Sequence, residues 1–256
     1  AFGDHLQLAP SDSFELARTG PYAIELPDRS DEDLTARAVA GLAAICGRAS
    51  AFKITLEKNI PVAAGLGGGS ADAAAAIRLV CREWGVDPDD PRVLALAEGL
   101  GADVPMCLHS RPAWIAGAGE QVTPVSNCAD LDLLLVNPRV PLSTAQVFGA
   151  YAPADPVVDS DLASADVATP ASVLAFLGRQ SNDLTGPAQG LCPVISDVLE
   201  TLAHARGCQL ARMSGSGPTC FAIFDNEEAC KAAARDIGAR HPDWWMRSTR
   251  TGHSTR

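Results

Sequence analysis

Lysine is scarce in this chain. Of its 20 basic residues only Lys53, Lys58 and Lys231 are lysines, so a lysine beside a candidate site stands out. Basic charge as a whole is short: 20 basic against 31 acidic side chains leave a formal net charge of −11 at pH 7. That balance excludes a general binder of nucleic acid or of an anionic membrane. One local phosphate site stays open, because backbone N–H groups bind phosphate without net charge. No apolar run reaches the roughly 18 residues of a spanning helix, and no secretory signal is visible. The eight cysteines (Cys46, Cys81, Cys107, Cys128, Cys192, Cys208, Cys220 and Cys230) contain no C-x-x-C pair. The five histidines (His5, His109, His204, His241 and His253) show no ligand spacing. A zinc or thioredoxin-like site is therefore not expected. A G-x-S-x-G elbow and a protein-kinase signature are absent as well.

What is present belongs to a folded globular chain: 47% of the 256 residues are hydrophobic and 20% are charged. The length predicts one large domain or two small ones. The cysteines sit among apolar neighbours and read as small buried thiols of a reducing, cytoplasmic setting. The chain opens on Ala1 rather than Met, and residues 2–8 read as a turn running into a strand, as if entered partway through a domain. Residues 6–8, 13–16 and 52–57 alternate like strands. Ser30-Asp31-Glu32-Asp33 offers polar starts for a helix ended by Gly47. Ser70 is placed to cap a helix from Ala71 to Trp84 that Gly85 terminates, and Asp90-Pro91 starts a helix that ends at Gly101.

Residues 132–137 (Asp-Leu-Leu-Leu-Val-Asn) read as a buried strand, and residues 153–170, rich in Asp, Ala, Ser and Pro, as a surface loop. An amphipathic helix is expected over 193–205, strands over 208–213 and 220–224, a helix over 227–239 and a last strand over 244–247. From residue 132 the order β-α-…-α-β-β-α-β suits a split β-α-β sheet with helices on one face. The boundary falls near residues 128–130, which gives domains 1–129 and 130–256.

Three motifs carry chemistry. The first is Pro61-Val62-Ala63-Ala64-Gly65-Leu66-Gly67-Gly68-Gly69-Ser70-Ala71-Asp72, between a strand and a helix. Its glycines let the backbone approach a ligand, and the emerging helix aims free N–H groups and its dipole at an anion. It is not a P-loop, since no lysine follows the glycines, nor a dinucleotide fingerprint, since Ser70 stands where the last glycine belongs. Ser70 can cap the helix or contact a phosphate or its metal. Lys58, just upstream, offers a point charge to a phosphate or is a solvated strand end. The second motif, Met213-Ser214-Gly215-Ser216-Gly217-Pro218-Thr219, joins two apolar strands. The third is Gly101-Ala102-Asp103-Val104-Pro105. A carboxylate at a helix C-terminus is disfavoured by the dipole, so Asp103 either handles an attacking hydroxyl in phosphoryl transfer or caps a following short helix.

Together the three motifs resemble the GHMP kinases, a family of ATP-dependent small-molecule kinases. The resemblance covers residues 2–245. It includes Lys58 before Pro61, the segment Asn137-Pro138…Thr144…Phe148, and Ser181-Asn182-Asp183-Leu184. It implies an α+β fold of two domains. The N-terminal one is of the ribosomal protein S5 domain 2 type, with its first strand missing, and the C-terminal one is a ferredoxin-like split β-α-β.

The triple glycine and Gly101–Pro105 are most like the members that phosphorylate the 2-hydroxyl of 4-diphosphocytidyl-2-C-methyl-D-erythritol in non-mevalonate isoprenoid biosynthesis. The resemblance implies ATP and Mg²⁺ as cofactors, Asp103 as the catalytic aspartate, and Lys58, Pro61, Gly65, Leu66, Gly67, Gly68, Gly69, Ser70 and Ala71 as the nucleotide site. Thr144 and Phe148 match positions near the cytidine, and Gly215 and Ser216 line the substrate side. A monomer or homodimer with a small-molecule substrate is expected, with no nucleic-acid or membrane partner. The family's opening lysine strand and Asp-Gly-Tyr-His segment precede this sequence. A helix-start asparagine of the family is Asp33 here, and an ionised carboxylate cannot donate a hydrogen bond as an amide does. The alternatives are another GHMP kinase, acting on homoserine, mevalonate or a sugar, and a nucleotide-binding module without catalysis.

Overall fold

The computed structural model describes residues 2–27, 29, 32–152 and 165–252. Contacts divide the chain into two compact units. One comprises Phe2–Val62 and Gly67–Val125, and the other Ala63–Leu66 and Ser126–Arg256. The glycine motif thus crosses from one unit to the other and back.

In the first unit β1 (His5–Pro10), β2 (Glu15–Thr19) and β3 (Phe52–Glu57) form a sheet of order β1-β3-β2, antiparallel on one side of β3 and parallel on the other. Alternation in Phe-Lys-Ile-Thr-Leu-Glu buries Phe52, Ile54 and Leu56 on one face, as the period of two requires. Against that face pack α1 (Leu34–Cys46) and α2 (Gly68–Trp84), through Val39 and Leu42 and through Ala73, Ile77 and Val80. Each buried Leu, Ile or Val contributes about 1.5–3 kcal/mol. Then come α3 (Pro91–Leu100), α4 (Val104–His109) and a two-stranded ribbon of β4 (Ala113–Ala116) and β5 (Gln121–Pro124). Asp90 caps α3 through Arg92 N–H with Pro91 at the first turn, and Gly47 ends α1 in the left-handed conformation.

α1 starts at Leu34, later than the polar run suggests. Ser30 and Asp31 lie outside the described residues. The cap is Asp33, whose Oδ1 accepts from Thr35 N–H (2.8 Å) and Ala36 N–H (3.3 Å) while Oδ2 pairs with Arg18 Nη2 at 2.8 Å. Both oxygens accept, so a carboxylate suits this site.

The second unit holds β6 (Asp132–Asn137), α5 (Thr144–Ala150), α6 (Pro170–Leu177), α7 (Thr185–Leu191), α8 (Val194–Ala203), β7 (Cys208–Met213), β8 (Cys220–Phe224), α9 (Glu227–Arg240) and β9 (Trp245–Arg250). Its sheet has the order β7-β8-β6-β9 and is antiparallel throughout. This is the split β-α-β arrangement. Leu134, Val136, Ala222 and Phe224 bury one face of the sheet against Ile195, Val198 and Leu202 of α8 and Ile237 of α9. Of the surface loop expected over 153–170, residues 153–164 lie outside the described ones. Residues 165–169 form no helix or strand, and α6 begins at Pro170.

Candidate active site

Gly67 takes the left-handed conformation (φ 65°) and is the N-cap of α2, so the helix begins at Gly68 rather than at Ala71. Ser70 lies in the first turn and does not cap it. The first helical bond runs from Ala71 N–H to Gly67 O at 2.8 Å, which leaves the N–H groups of Gly68, Gly69 and Ser70 ahead of the ladder. No side chain caps this end. A 17-residue helix therefore presents donors and a positive dipole end at a backbone stripped of side chains.

Asp103 faces this start. A Cβ built on Gly67 would lie 3.8 Å from Asp103 Oδ2. Asp103 occupies the N-cap position of α4, yet its side chain makes no capping bond. The carboxylate is exposed and turned to the loop. Arg78, in the C-terminal half of α2, donates through Nη1 to Cys107 O (2.6 Å) and Leu108 O (3.2 Å), and so ties α4 to α2. Burial, and then the charge of Asp103, push the Cys107 thiol up to about 11, which keeps it protonated and unreactive at neutral pH.

Lys58 is not a solvated strand end. Its side chain is 2% exposed, and Nζ donates to Asp4 Oδ2 (2.5 Å) and Asp72 Oδ2 (2.7 Å). Asp4 Oδ1 in turn accepts from Asn59 N–H (2.6 Å) and Ile60 N–H (2.9 Å). A Cβ on Gly68 would lie 3.2 Å from Nζ, so the ammonium sits directly behind the first turn of α2. Burial works against the charged lysine, but the carboxylates of Asp72 and Asp4 outweigh it and raise the Lys58 pKa. Burial raises Asp72 to about 7 against the pull of Lys58. The charge expected to serve a phosphate is thus engaged by two carboxylates. Pro61, three residues on, is buried.

The other half of the loop folds with the second unit. Thr219 N–H donates to Ala64 O (3.3 Å) and Ser214 Oγ to Gly65 O (2.9 Å). Gly65 has φ 72°, and a Cβ there would stand 2.4 Å from Gly217 O, so backbone packs on backbone. Leu66 is half-buried beside it. Ser216, 8% exposed, bonds Thr144 at 2.9 Å between the hydroxyl oxygens. Gly215 adopts φ 52° and is exposed. Phe148, one turn after Thr144 on α5, is 56% exposed, an apolar ring open to a ligand.

Sequence reasoning missed Asp4, Asp72, Arg78 and the anchoring role of Asn182. Asp72 carried a signal: it falls on the stripe of Ala76, Ile77 and Val80, where a charge needs a buried partner. Asp4 lies 54 residues from Lys58 and carried none. Among the described residues no group of three His, Cys, Asp or Glu side chains could cage a metal, and no helix is long and apolar enough to cross a membrane.

The model of the GHMP kinases N terminal domain matches residues 33–111, and that of the GHMP kinases C terminal domain matches residues 166–243. The chain is 45% identical over 250 residues to 4-diphosphocytidyl-2-C-methyl-D-erythritol kinase of Cereibacter sphaeroides, covering 97% of this chain and 86% of that one. It is 42% identical over 251 residues to the protein of that name in Parvibaculum lavamentivorans, with 98% and 86% covered. A crystal structure of 4-(cytidine 5'-diphospho)-2C-methyl-D-erythritol kinase superposes with a TM-score of 0.76 at 30% identity over 97% of this chain and 86% of the other. Homoserine kinase from Cytophaga hutchinsonii reaches the same TM-score at 20% identity, with 99% and 87% covered, a likeness of fold alone.

Proposed function

The chain belongs to the GHMP kinase family as a small-molecule kinase, and we propose that it transfers the γ-phosphoryl group of ATP to the 2-hydroxyl of 4-diphosphocytidyl-2-C-methyl-D-erythritol, a step of non-mevalonate isoprenoid biosynthesis. The observation that carries this reading is the Asp103 carboxylate aimed at the left-handed Gly67 that opens α2. An anion-binding helix start and an unengaged carboxylate beside it are what transfer of a phosphoryl group to an alcohol needs.

The N–H groups of Gly68, Gly69 and Ser70 hold the phosphate oxygens and stabilise the charge that spreads over them during transfer. Asp103 accepts the hydrogen bond of the attacking hydroxyl, orients its oxygen in line with the phosphorus and takes its proton as the new P–O bond forms and ADP leaves. Phe148 offers its face to the cytosine ring, and Thr144 and Ser216 offer hydroxyls beside it. The first turn of α2 fits an ATP phosphate chain, since no side chain caps it and its first two residues are glycines. Mg²⁺ would be held chiefly by the phosphate oxygens and water. The Ser70 hydroxyl would be its protein oxygen, and the ion would neutralise phosphate charge. Eight unpaired cysteines support a reducing, cytoplasmic setting.

The test is ADP release with ATP and Mg²⁺ across a panel of acceptors, with the product identified by ³¹P NMR. The expected result is turnover with 4-diphosphocytidyl-2-C-methyl-D-erythritol and a new phosphomonoester at its 2-position. Preference for homoserine, mevalonate or a sugar would overturn the acceptor. ATP binding with no turnover on any of them would mean a nucleotide-binding module.

A further inference from the structure

The turn from Met213 to Thr219 is tied on three sides, all within the second unit. On the first side lie Ala64 and Gly65, which accept from Thr219 N–H and Ser214 Oγ and pack against Gly217 O. On the second lies the frame of the domain. The Asn182 carboxamide donates to Met213 O (3.1 Å) and Gly215 O (2.8 Å), and its own oxygen accepts from Leu184 N–H (3.0 Å). Asn137 Nδ2 donates to Thr219 Oγ1 at 2.8 Å. On the third side Ser216 bonds Thr144, the first residue of α5, which carries the exposed Phe148. Asn182 spends both amide hydrogens on two carbonyls of one turn, so rotating it breaks both bonds. Ser216 is buried, so water does not compete for its bond to Thr144.

We propose that this turn is a stiff link between the two substrate sites. Ser214 and Asn182 are positioning residues that hold Ala64 and Gly65, the entry to the phosphate loop, in the conformation that receives ATP. An acceptor held at Thr144 and Phe148 fixes Ser216, and through the turn it fixes that entry more firmly. Neither positioning residue touches a substrate. Each ligand then tightens the other by one common factor, because binding coupling is reciprocal. The assignment of the acceptor to α5 rests on the proposed function, whereas the hold on Ala64 and Gly65 does not.

The experiment is titration calorimetry of the non-hydrolysable ATP analogue AMP-PNP on the wild type, Ser214→Ala, Ser214→Thr and Asn182→Asp, alone and with saturating acceptor, alongside steady-state kinetics. The wild type is expected to bind AMP-PNP about fivefold more tightly with acceptor present. Ser214→Ala is expected to weaken AMP-PNP about fivefold and to lose the coupling, raising KM for ATP while kcat stays within about twofold. Ser214→Thr keeps the hydroxyl and restores both. Asn182→Asp sets a carboxylate against two carbonyls and likewise loses the coupling; if it fails to fold, the Ser214 pair decides. A merely structural role would lower Tm and leave the coupling intact.

If the wild type turns over the acceptor but shows no coupling, or Ser214→Ala retains it, the link is overturned. If the wild type does not turn the acceptor over, the proposed function fails instead. The AMP-PNP affinity of Ser214→Ala then decides the link, and an unchanged value overturns it.

Discussion

Gly65 and Gly69 stand four residues apart in one loop and are glycine for opposite reasons. Gly65 has a positive φ and lies against Gly217 O with no room for a carbon. Gly69 has no positive φ, sits in the first turn of α2, and a Cβ there would meet only Leu34 Cδ1 at 3.6 Å, an ordinary contact. The first glycine lets two backbones touch, and the second keeps a helix start bare although alanine would fit. The loop therefore joins two devices. Ala63–Leu66 is fixed by packing within the second unit, and the stretch from Gly67 onward opens α2 within the first, with no side chain capping it. Lys58 belongs to the packed kind: it braces the open stretch from behind.

The largest expected effect sharpens that last point. Lys58→Met leaves Asp4 and Asp72 buried without their cation, at a cost of about 3–5 kcal/mol in urea unfolding. A small cost together with a large loss of ATP affinity would place the ammonium at the nucleotide instead. Gly65→Ala is next. The left-handed backbone and the clash with Gly217 O together cost about 2–4 kcal/mol, measured in the same way.

A pH titration probes the buried cluster. Asp72 is raised to about 7 by burial, from about 3.9 in an unfolded chain. The folded state keeps its proton longer, so this group's stabilisation is complete below about pH 4 and is lost as pH rises to about 7. Counted against Asp72→Asn, the Tm of the wild type should fall over that interval and level off above it. A constant difference would contradict the assignment. Gly69→Ala is the smallest and the most diagnostic change. Helix propensity predicts a gain of up to about 1 kcal/mol, while AMP-PNP binds more weakly because a methyl group stands where phosphates approach. A stability gain with unchanged affinity would break the contrast with Gly65.

Much of this was legible in the sequence. The alternation of β3, the Asp90 cap with Pro91, and Gly47 closing α1 are local devices, and the chain obeys them. The order of elements from residue 132 foretold the split sheet. What was not legible is what depends on distant partners. Gly67 replaced Ser70 as cap because a left-handed glycine turns the chain into the helix one residue before Gly68. Lys58 read either as a phosphate ligand or as a solvated end, since nothing nearby announces Asp4. The passage of Ala63–Leu66 into the second unit depends on contacts with Ser214, Gly217 and Thr219, about 150 residues on. The short helices α6 and α7 carry too few turns for a clear period.

The role of Asp103 is tested most directly by single-turnover phosphoryl transfer in Asp103→Asn, with AMP-PNP affinity measured on the same sample. Asparagine keeps the size and removes the basic oxygen. The predicted result is a rate lower by about 10²–10⁴-fold with nucleotide affinity within about twofold. Transfer at a rate close to the wild type would contradict the role given to this carboxylate.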